Sequence, residues 1–341
     1  MVRKKKQKKR FRLRRYLRPI RKALYWLRYR VGEYCLTGFV RRLPWIPRSF
    51  VNGFAAAAEK VTFAIFRKYR MKMEENLALA MGEEISSPEE RRALIRRAWR
   101  NFAQTLLEAF WAMHASKEKI LSGVAMEGEE HLKRALAKGK GVIALSAHLG
   151  NFTMIGARLA AAGYPFSVVV KQPRDRRFAR LIDDYRAQLG MKTISAKPRR
   201  EAVRGILKTL RANGVVLLIA DEFKSVGVKV SFFGRASHAP RGPATLALRT
   251  GAATLPIFAT RDPNGRLTLQ IAPEIELIGG DDLEQSVAAN TALFTQHLED
   301  MVRRYPDQWN WLGFHVDGRK PRIRRRRSQR TQAESRDSLS S

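Results

Sequence analysis

The sequence predicts an α/β fold: a single domain with a mostly parallel central sheet flanked by helices, preceded by amphipathic, membrane-associating N-terminal helices. Three observations predict it. From Val124 onward, short apolar runs alternate with helical patterns, the signal of βαβ units and a parallel sheet. One of these runs, 141–146, is continuously apolar and feeds a helical pattern through a tight turn, as a buried strand does. Upstream, apolar residues recur at helical spacing among arginines, which reads as a basic amphipathic helix. A chain of 341 residues with 45% hydrophobic content can bury one large core or two smaller ones.

Residues 1–10 are nearly solid charge. Leu13, Leu17, Ile20, Leu24, Leu27 and Val31 then mark one helix face, with Arg14, Arg18, Arg21, Lys22 and Arg28 between them and a kink expected at Pro19. Such a segment suits an anionic bilayer surface; a nucleic-acid arm or a solvated helix is the alternative. After a break at Pro44 and Pro47, a second apolar helix is expected over 51–67, with Phe54, Ala58, Val61 and Ile65 on one face, and further helix over 72–81. Ser87-Pro88-Glu89-Glu90 is a helix start, with a capping serine, proline in the first turn and acids toward the positive end; that helix should run to about Met113. Strands are expected at 141–146, 166–170, 192–195, 215–220, 253–259 and 266–272, with helices at 151–162, 175–189, 199–213 and 283–305. The organisation expected is a basic arm (1–31), a central domain (32–315, helical to 120 and α/β from 121) and a basic tail (316–341).

The net charge is +35, and residues 1–30 alone carry fifteen Lys or Arg and no acid. With +6 on 316–341, the central part keeps +14. Anionic partners follow: lipid headgroups, phosphates, an acidic carrier protein or nucleic acid. Cys35 is the only cysteine, which excludes an intrachain disulfide and a multi-cysteine zinc site and suits a reducing, cytosol-facing environment. No clean secretory signal and no uncharged apolar stretch long enough to span a bilayer is visible. A protein of this kind that meets a membrane should lie on it.

Chemistry concentrates at Ser146-Ala147-His148-Leu149-Gly150-Asn151-Phe152-Thr153, where the apolar strand turns into a helix. A histidine there can take a proton from an alcohol near neutral pH; the plainer reading is a loop histidine beside a helix cap. His114, His131 and His297 lie in polar, helix-like surroundings and read as surface residues, while His238, near Arg241, is a candidate substrate contact. No His, Asp or Glu set has metal-ligand spacing, and no phosphate loop of the P-loop or dinucleotide type is present.

Three further segments are more specific. They are Val170-Lys171-Gln172-Pro173 with Tyr185-Arg186 and Gly190; Leu218-Ile219-Ala220-Asp221-Glu222; and Phe232-Phe233-Gly234-Arg235 with Arg241-Gly242-Pro243-Ala244 and Leu248-Arg249-Thr250-Gly251-Ala252. With these, and with Met73-Glu74-Glu75-Asn76-Leu77-Ala78 and Tyr305-Pro306-Asp307-Gln308-Trp309, residues 40–312 resemble the lipid A biosynthesis lauroyl and myristoyl acyltransferases of the lysophospholipid acyltransferase superfamily. The resemblance implies transfer of a fatty acyl chain from a thioester (acyl carrier protein or coenzyme A, with no other cofactor) to a hydroxyl of a lipid A precursor or related glycolipid or lysolipid. It implies a place on the cytoplasmic face of the bacterial inner membrane, peripheral or monotopic. It also implies His148, Asp221 and Arg186 as catalytic residues, and Gly150, Asn151, Thr153, Lys171, Glu222, Arg235, Arg241 and Arg249 as substrate-binding residues.

Two departures set this chain apart. The family places Asp or Glu five positions after the histidine to orient its ring, and Thr153 stands there. A threonine hydroxyl carries no charge to stabilise an imidazolium, so either an activated thioester tolerates a weaker base, or Asp221 or Glu222 supplies the carboxylate, or the protein binds lipid without catalysis. The run Asn310-Trp311-Leu312-Gly313-Phe314 also replaces the basic ending usual in the family, so the acceptor itself is open. A nucleic-acid-binding protein fits the charge but not the motifs: there is no helix-turn-helix, RNP-like aromatic motif or zinc ligand set.

Overall fold

In a computed structural model of the chain, residues 60–112, 115–173, 176–223 and 226–314, with the isolated positions 38 and 53, are described. The expected arm at 1–31, most of the 51–67 helix, His114 and the tail at 316–341 lie outside them. The chain separates into two compact units, Met1–Gly53 and Phe54–Ser341, and all the secondary structure from residue 60 onward belongs to the second.

Helical residues 60–65 and a turn at Phe66 lead into α1 (Arg67–Met81), so the helix expected from 72 begins earlier. Phe63 is the buried side chain, seated edge-on against Trp99 at 6.3 Å, whereas Val61 and Ile65 are 58% and 68% exposed. α2 (Pro88–Ala112) starts where the Ser87-Pro88 signal places it; the Ser87 carbonyl accepts the Arg91 N–H. α3 (Lys117–Gly123) precedes the alternating part: β1 (Val124–Glu127), α4 (Glu129–Ala137), β2 (Val142–Ser146), α5 (Phe152–Ala161), β3 (Phe166–Val170), α6 (Arg176–Gln188), β4 (Met191–Ser195), α7 (Arg199–Arg211) and β5 (Val215–Ile219). A hairpin of β6 (Val228–Phe232) and β7 (Arg235–Ala239) follows, then α8 (Gly242–Thr250), β8 (Ala253–Arg261), β9 (Leu267–Ile271) and α9 (Leu283–Arg304).

The main sheet has the order β1-β9-β8-β2-β5-β3-β4, with β8 and β9 its one antiparallel pair. Side chains of its central strands alternate between two buried layers. Ile143, Leu145, Val216, Leu218 and Phe258 pack with α1, α8 and α9. Val142, Ala144, Val215, Leu217, Leu255 and Ile257 pack with α4 and α5. Burial on both faces is why these strands read as continuous apolar runs. β2 connects through α5 toward β3, whereas β5 connects back toward β8. Connections leaving neighbouring strands in opposite directions open a crevice beyond their carboxyl ends, the usual ligand position in such sheets.

Candidate active site

Parallel register brings His148 and Asp221 together. Ser146 at the end of β2 stands beside Ile219 at the end of β5, and the Ala220 N–H still donates to the Ser146 carbonyl at 2.9 Å. Two residues further along each chain come His148 and Asp221. His148 Nδ1 lies 2.8 Å from Asp221 Oδ1, and the His148 backbone N–H donates to Oδ2 at 2.8 Å. The Trp309 indole N–H donates to the same Oδ2 at 2.9 Å. Asp221 is 4% exposed, so these bonds replace the water it gives up. A carboxylate accepts only, so Nδ1 carries the hydrogen and the neutral ring keeps its lone pair on Nε2. The His148 side chain stays one-third exposed and lines the cleft, with Phe152 edge-on at 5.1 Å.

Burial pushes the His148 pKa down, but the bond to Asp221 and the charges of Asp221 and Glu222 outweigh it and hold it above the ordinary 6.5. Folding therefore favours the protonated ring. That contribution to stability is fully present below 6.5 and is lost as pH rises through the raised value. For a histidine that acts as a base the sign is opposite, because the ring must be neutral to take a proton. The acidic limb of kcat/KM is expected to turn at a pH above 6.5, and a pH–rate profile of the full chain checks this.

The turn between β2 and α5 is held by residues that do not reach the cleft. Gly150 has φ +58°, and a Cβ there would lie 2.1 Å from the Ala259 carbonyl oxygen. Its N–H donates to the Gln308 carbonyl, and the Asn151 N–H donates to that of Ala259. Asn151 Nδ2 donates to Glu108 at 2.7 Å, and Arg261 grips both oxygens of Glu108 at 2.9 and 2.6 Å. Gly150→Ala would need a left-handed residue and a displaced strand at once. It is expected to cost about 2–4 kcal/mol of stability, read by chemical denaturation, and to lower activity by moving His148.

Of the residues expected to bind substrate, Gly150 and Asn151 brace the turn and do not line the cleft; Asn151 is buried and Gly150 half-buried. Thr153 lines it, but its hydroxyl donates to Asn151 Oδ1 at 2.6 Å rather than bonding the His148 ring. Arg235, at the exposed start of β7, is not among the residues lining the cleft, and neither is His238. Lys171, Arg186, Glu222, Arg241 and Arg249 all line it. Arg186 is fixed by Asp183 at 3.2 Å, itself held by Gln172 at 2.9 Å; burial lowers the Arg186 pKa, though a guanidinium stays a cation. Arg241 is bound by both oxygens of Glu284 at 2.6 and 2.7 Å. His131 sits beside Glu130 on α4, and His297 lies on α9, both away from the cleft.

The cleft itself has a volume of about 1400 Å³, larger than a pocket for one drug-sized ligand. Phe152, Gly156, Phe166, Met191, Ile206 and Leu217 give it an apolar floor. Lys171, Arg186, Lys197, Arg199, Arg241 and Arg249 line it as cations, against Glu222 alone as an acid. Among the described residues no group of His, Cys, Asp or Glu is placed to hold a metal ion.

Several residues here were not singled out by the sequence. Trp309 lies in the Tyr305–Trp309 motif, yet nothing in the motif says that its indole serves Asp221. Asn76, inside the 73–78 motif, donates to the carbonyls of Trp311 and Phe314 at 2.6 and 3.3 Å, which anchors the segment that carries Trp309. Glu108 and Arg261 form a pair whose arginine is 10% exposed; a lone acid in the apolar stretch Leu106–Phe110 was the available signal. Trp309→Phe removes one donor from a buried carboxylate. It is expected to cost about 1–3 kcal/mol of stability and to lower kcat more than it raises KM, read by urea denaturation and steady-state kinetics.

A mostly parallel α/β sheet, with a carboxylate-held histidine beyond its central strands and a large apolar, cation-lined cleft beside it, defines an α/β protein with an acid–base type site. The particular family is set by comparison: the profile of "Bacterial lipid A biosynthesis acyltransferase" matches residues 19–314, and the chain belongs to that family. The chain is similar to a phosphatidylinositol mannoside acyltransferase of Mycolicibacterium smegmatis, 27% identical over 74% of this chain and 83% of the relative. It is also similar to a phosphatidylinositol mannoside acyltransferase of Mycobacterium tuberculosis, 31% identical over 58% of this chain and 63% of the relative. A lipid A biosynthesis palmitoleoyltransferase of Escherichia coli is 26% identical over 66% of this chain and 72% of the relative.

Proposed function

We propose that this protein is an active, membrane-associated O-acyltransferase that moves a fatty acyl chain from a thioester to a hydroxyl of a glycolipid, in the lipid A or phosphoinositide-mannoside range of acceptors. The observation that carries the proposal is the 2.8 Å contact between His148 Nδ1 and Asp221 at the mouth of an apolar cleft. Nε2 takes the proton of the acceptor hydroxyl while its oxygen bonds to the thioester carbonyl carbon. Asp221 holds the ring in that tautomer and stabilises the imidazolium. The C–S bond then breaks, and the leaving thiolate takes the proton back from Nε2. Arg186 and the other cleft cations hold anionic groups of the substrates, and the apolar floor holds the acyl chain. An acyl carrier protein is the preferred donor over coenzyme A, because carriers are acidic and the central part of the chain carries +14. The site of action is the cytoplasmic face of the bacterial inner membrane; among the described residues no helix is long and apolar enough to cross it.

A second reading, a lipid-binding relative without catalysis, is favoured by Thr153 at the family's acidic position. Asp221 argues against it by filling the role from the neighbouring strand. Mass spectrometry of total lipids from cells with and without the protein tests the proposal. A glycolipid that carries one more acyl ester only when the protein is present is the expected result. Identical lipid profiles would contradict it.

A further inference from the structure

We propose that one exposed apolar strip, built from residues 61–69 and the outer face of α2, is the surface by which the protein seats on an anionic lipid bilayer and through which lipid chains reach the cleft. This rests on the acyltransferase reading above but adds the surface and the route. Val61, Ile65, Phe66 and Tyr69 are exposed, at 58%, 68%, 44% and 45%. The Phe66 ring lies 6.2 Å from that of Trp99 on α2. From Trp99 the strip continues at helical spacing through Phe102 and Leu106, which are 62% and 50% exposed. Leu106 is also a wall of the cleft, and Ala109 and Phe110, one turn on, line it with Leu106. The strip therefore runs without interruption from open surface into the chamber that holds His148.

Scattered apolar side chains on a surface need no explanation, but a contiguous strip ending in a cavity does. The charge around it selects the occupant. Between Lys60 and Met73 there are five Lys or Arg and no acid. On α2, exposed Arg96 and Arg100 stand one turn apart, and Arg92, one turn earlier, pairs with Glu74 at 3.7 Å. Apolar side chains bordered by cations match a bilayer with anionic headgroups. An acidic carrier protein would complement the arginines but would leave Ile65 and Phe102 without a use. A long-chain acceptor held in the bilayer could slide its chains along Phe102 and Leu106 without exposing them to water.

The test uses the full chain, vesicles of phosphatidylglycerol and phosphatidylethanolamine, and the double variant Ile65→Asn with Phe102→Asn. Both positions are exposed and neither lines the cleft. Ile65→Leu with Phe102→Leu is the control for folding. The lipid concentration for half-maximal vesicle binding is expected to rise about tenfold in the Asn variant and to stay put in the Leu variant. Transfer to an acceptor in vesicles falls with it, and transfer to the same acceptor dispersed in detergent falls less, because detergent delivers the chains without the bilayer. Unaltered vesicle binding would overturn the proposal. So would loss of a self-associated form without loss of lipid binding, which would make the strip a contact between copies, or a raised KM for carrier-bound donor in detergent, which would make it a carrier contact. Absence of transfer in every protein, with vesicle binding still sensitive to positions 65 and 102, would remove the acyltransferase reading and keep the surface.

Discussion

Replacing His148 with alanine is expected to lower kcat/KM for acyl transfer by about 10⁴-fold with little change in stability. On the proposed mechanism the ring, which lines the cleft, is the base, and its backbone N–H, which ties the turn to Asp221, survives the substitution. Alanine leaves Asp221 with the bonds from the His148 N–H and Trp309. The fold should therefore persist, and the loss should fall on kcat rather than KM. Thr153→Ala should cost far less, since its hydroxyl serves Asn151 and not the ring. A Thr153→Ala loss as large as that of His148→Ala would show that the acidic position of the family still does the orienting here.

Asp221→Asn is expected to lower kcat by about 10³-fold and to move the acidic limb of the pH profile downward. The first effect follows from geometry. An amide offers one accepting oxygen where the carboxylate offers two, so the His148 N–H, the His148 ring and the Trp309 indole cannot all be served, and the amide N–H₂ favours the wrong ring tautomer. The second follows from charge, because Asp221 supplies most of what holds the His148 pKa above 6.5. An activated thioester is why the expected loss is smaller than in peptide hydrolysis. A rate loss with an unmoved limb would assign Asp221 to structure alone; rate and limb moving together would assign it to the base.

Most strands and helices were legible because burial on both sheet faces writes continuous apolar runs: the run at 166–170 forms a strand over those same residues, the one at 215–220 ends one residue sooner, at Ile219, and the short edge strand β1 was not expected. The hairpin β6–β7 was visible only as its Phe-Phe-Gly-Arg turn. β6 alternates exposed Lys229 and Ser231 with Val230 and Phe232 packed toward α9, so its run is too short and too polar to read as a buried strand. The site was legible in its parts but not in its wiring. His148 and Asp221 each close an apolar strand, but that the two strands are neighbours in register is a fact of topology, which neither local stretch contains. Trp309, Asn76, Glu108 and Arg261 act across separations of many tens of residues, so no spacing rule could place them. Arg235 shares a motif with the turn of the hairpin, and the hairpin leaves it exposed and outside the cleft lining, a placement that no local pattern states.

The most direct test of His148-based acyl transfer is to follow a labelled acyl group from carrier-protein thioester to a purified glycolipid acceptor, comparing the full chain with its His148→Ala variant. A labelled, alkali-labile ester on the acceptor is predicted with the unaltered protein, and almost none with the variant. Equal ester formation by both, or label that leaves the thioester only as free fatty acid, would contradict it.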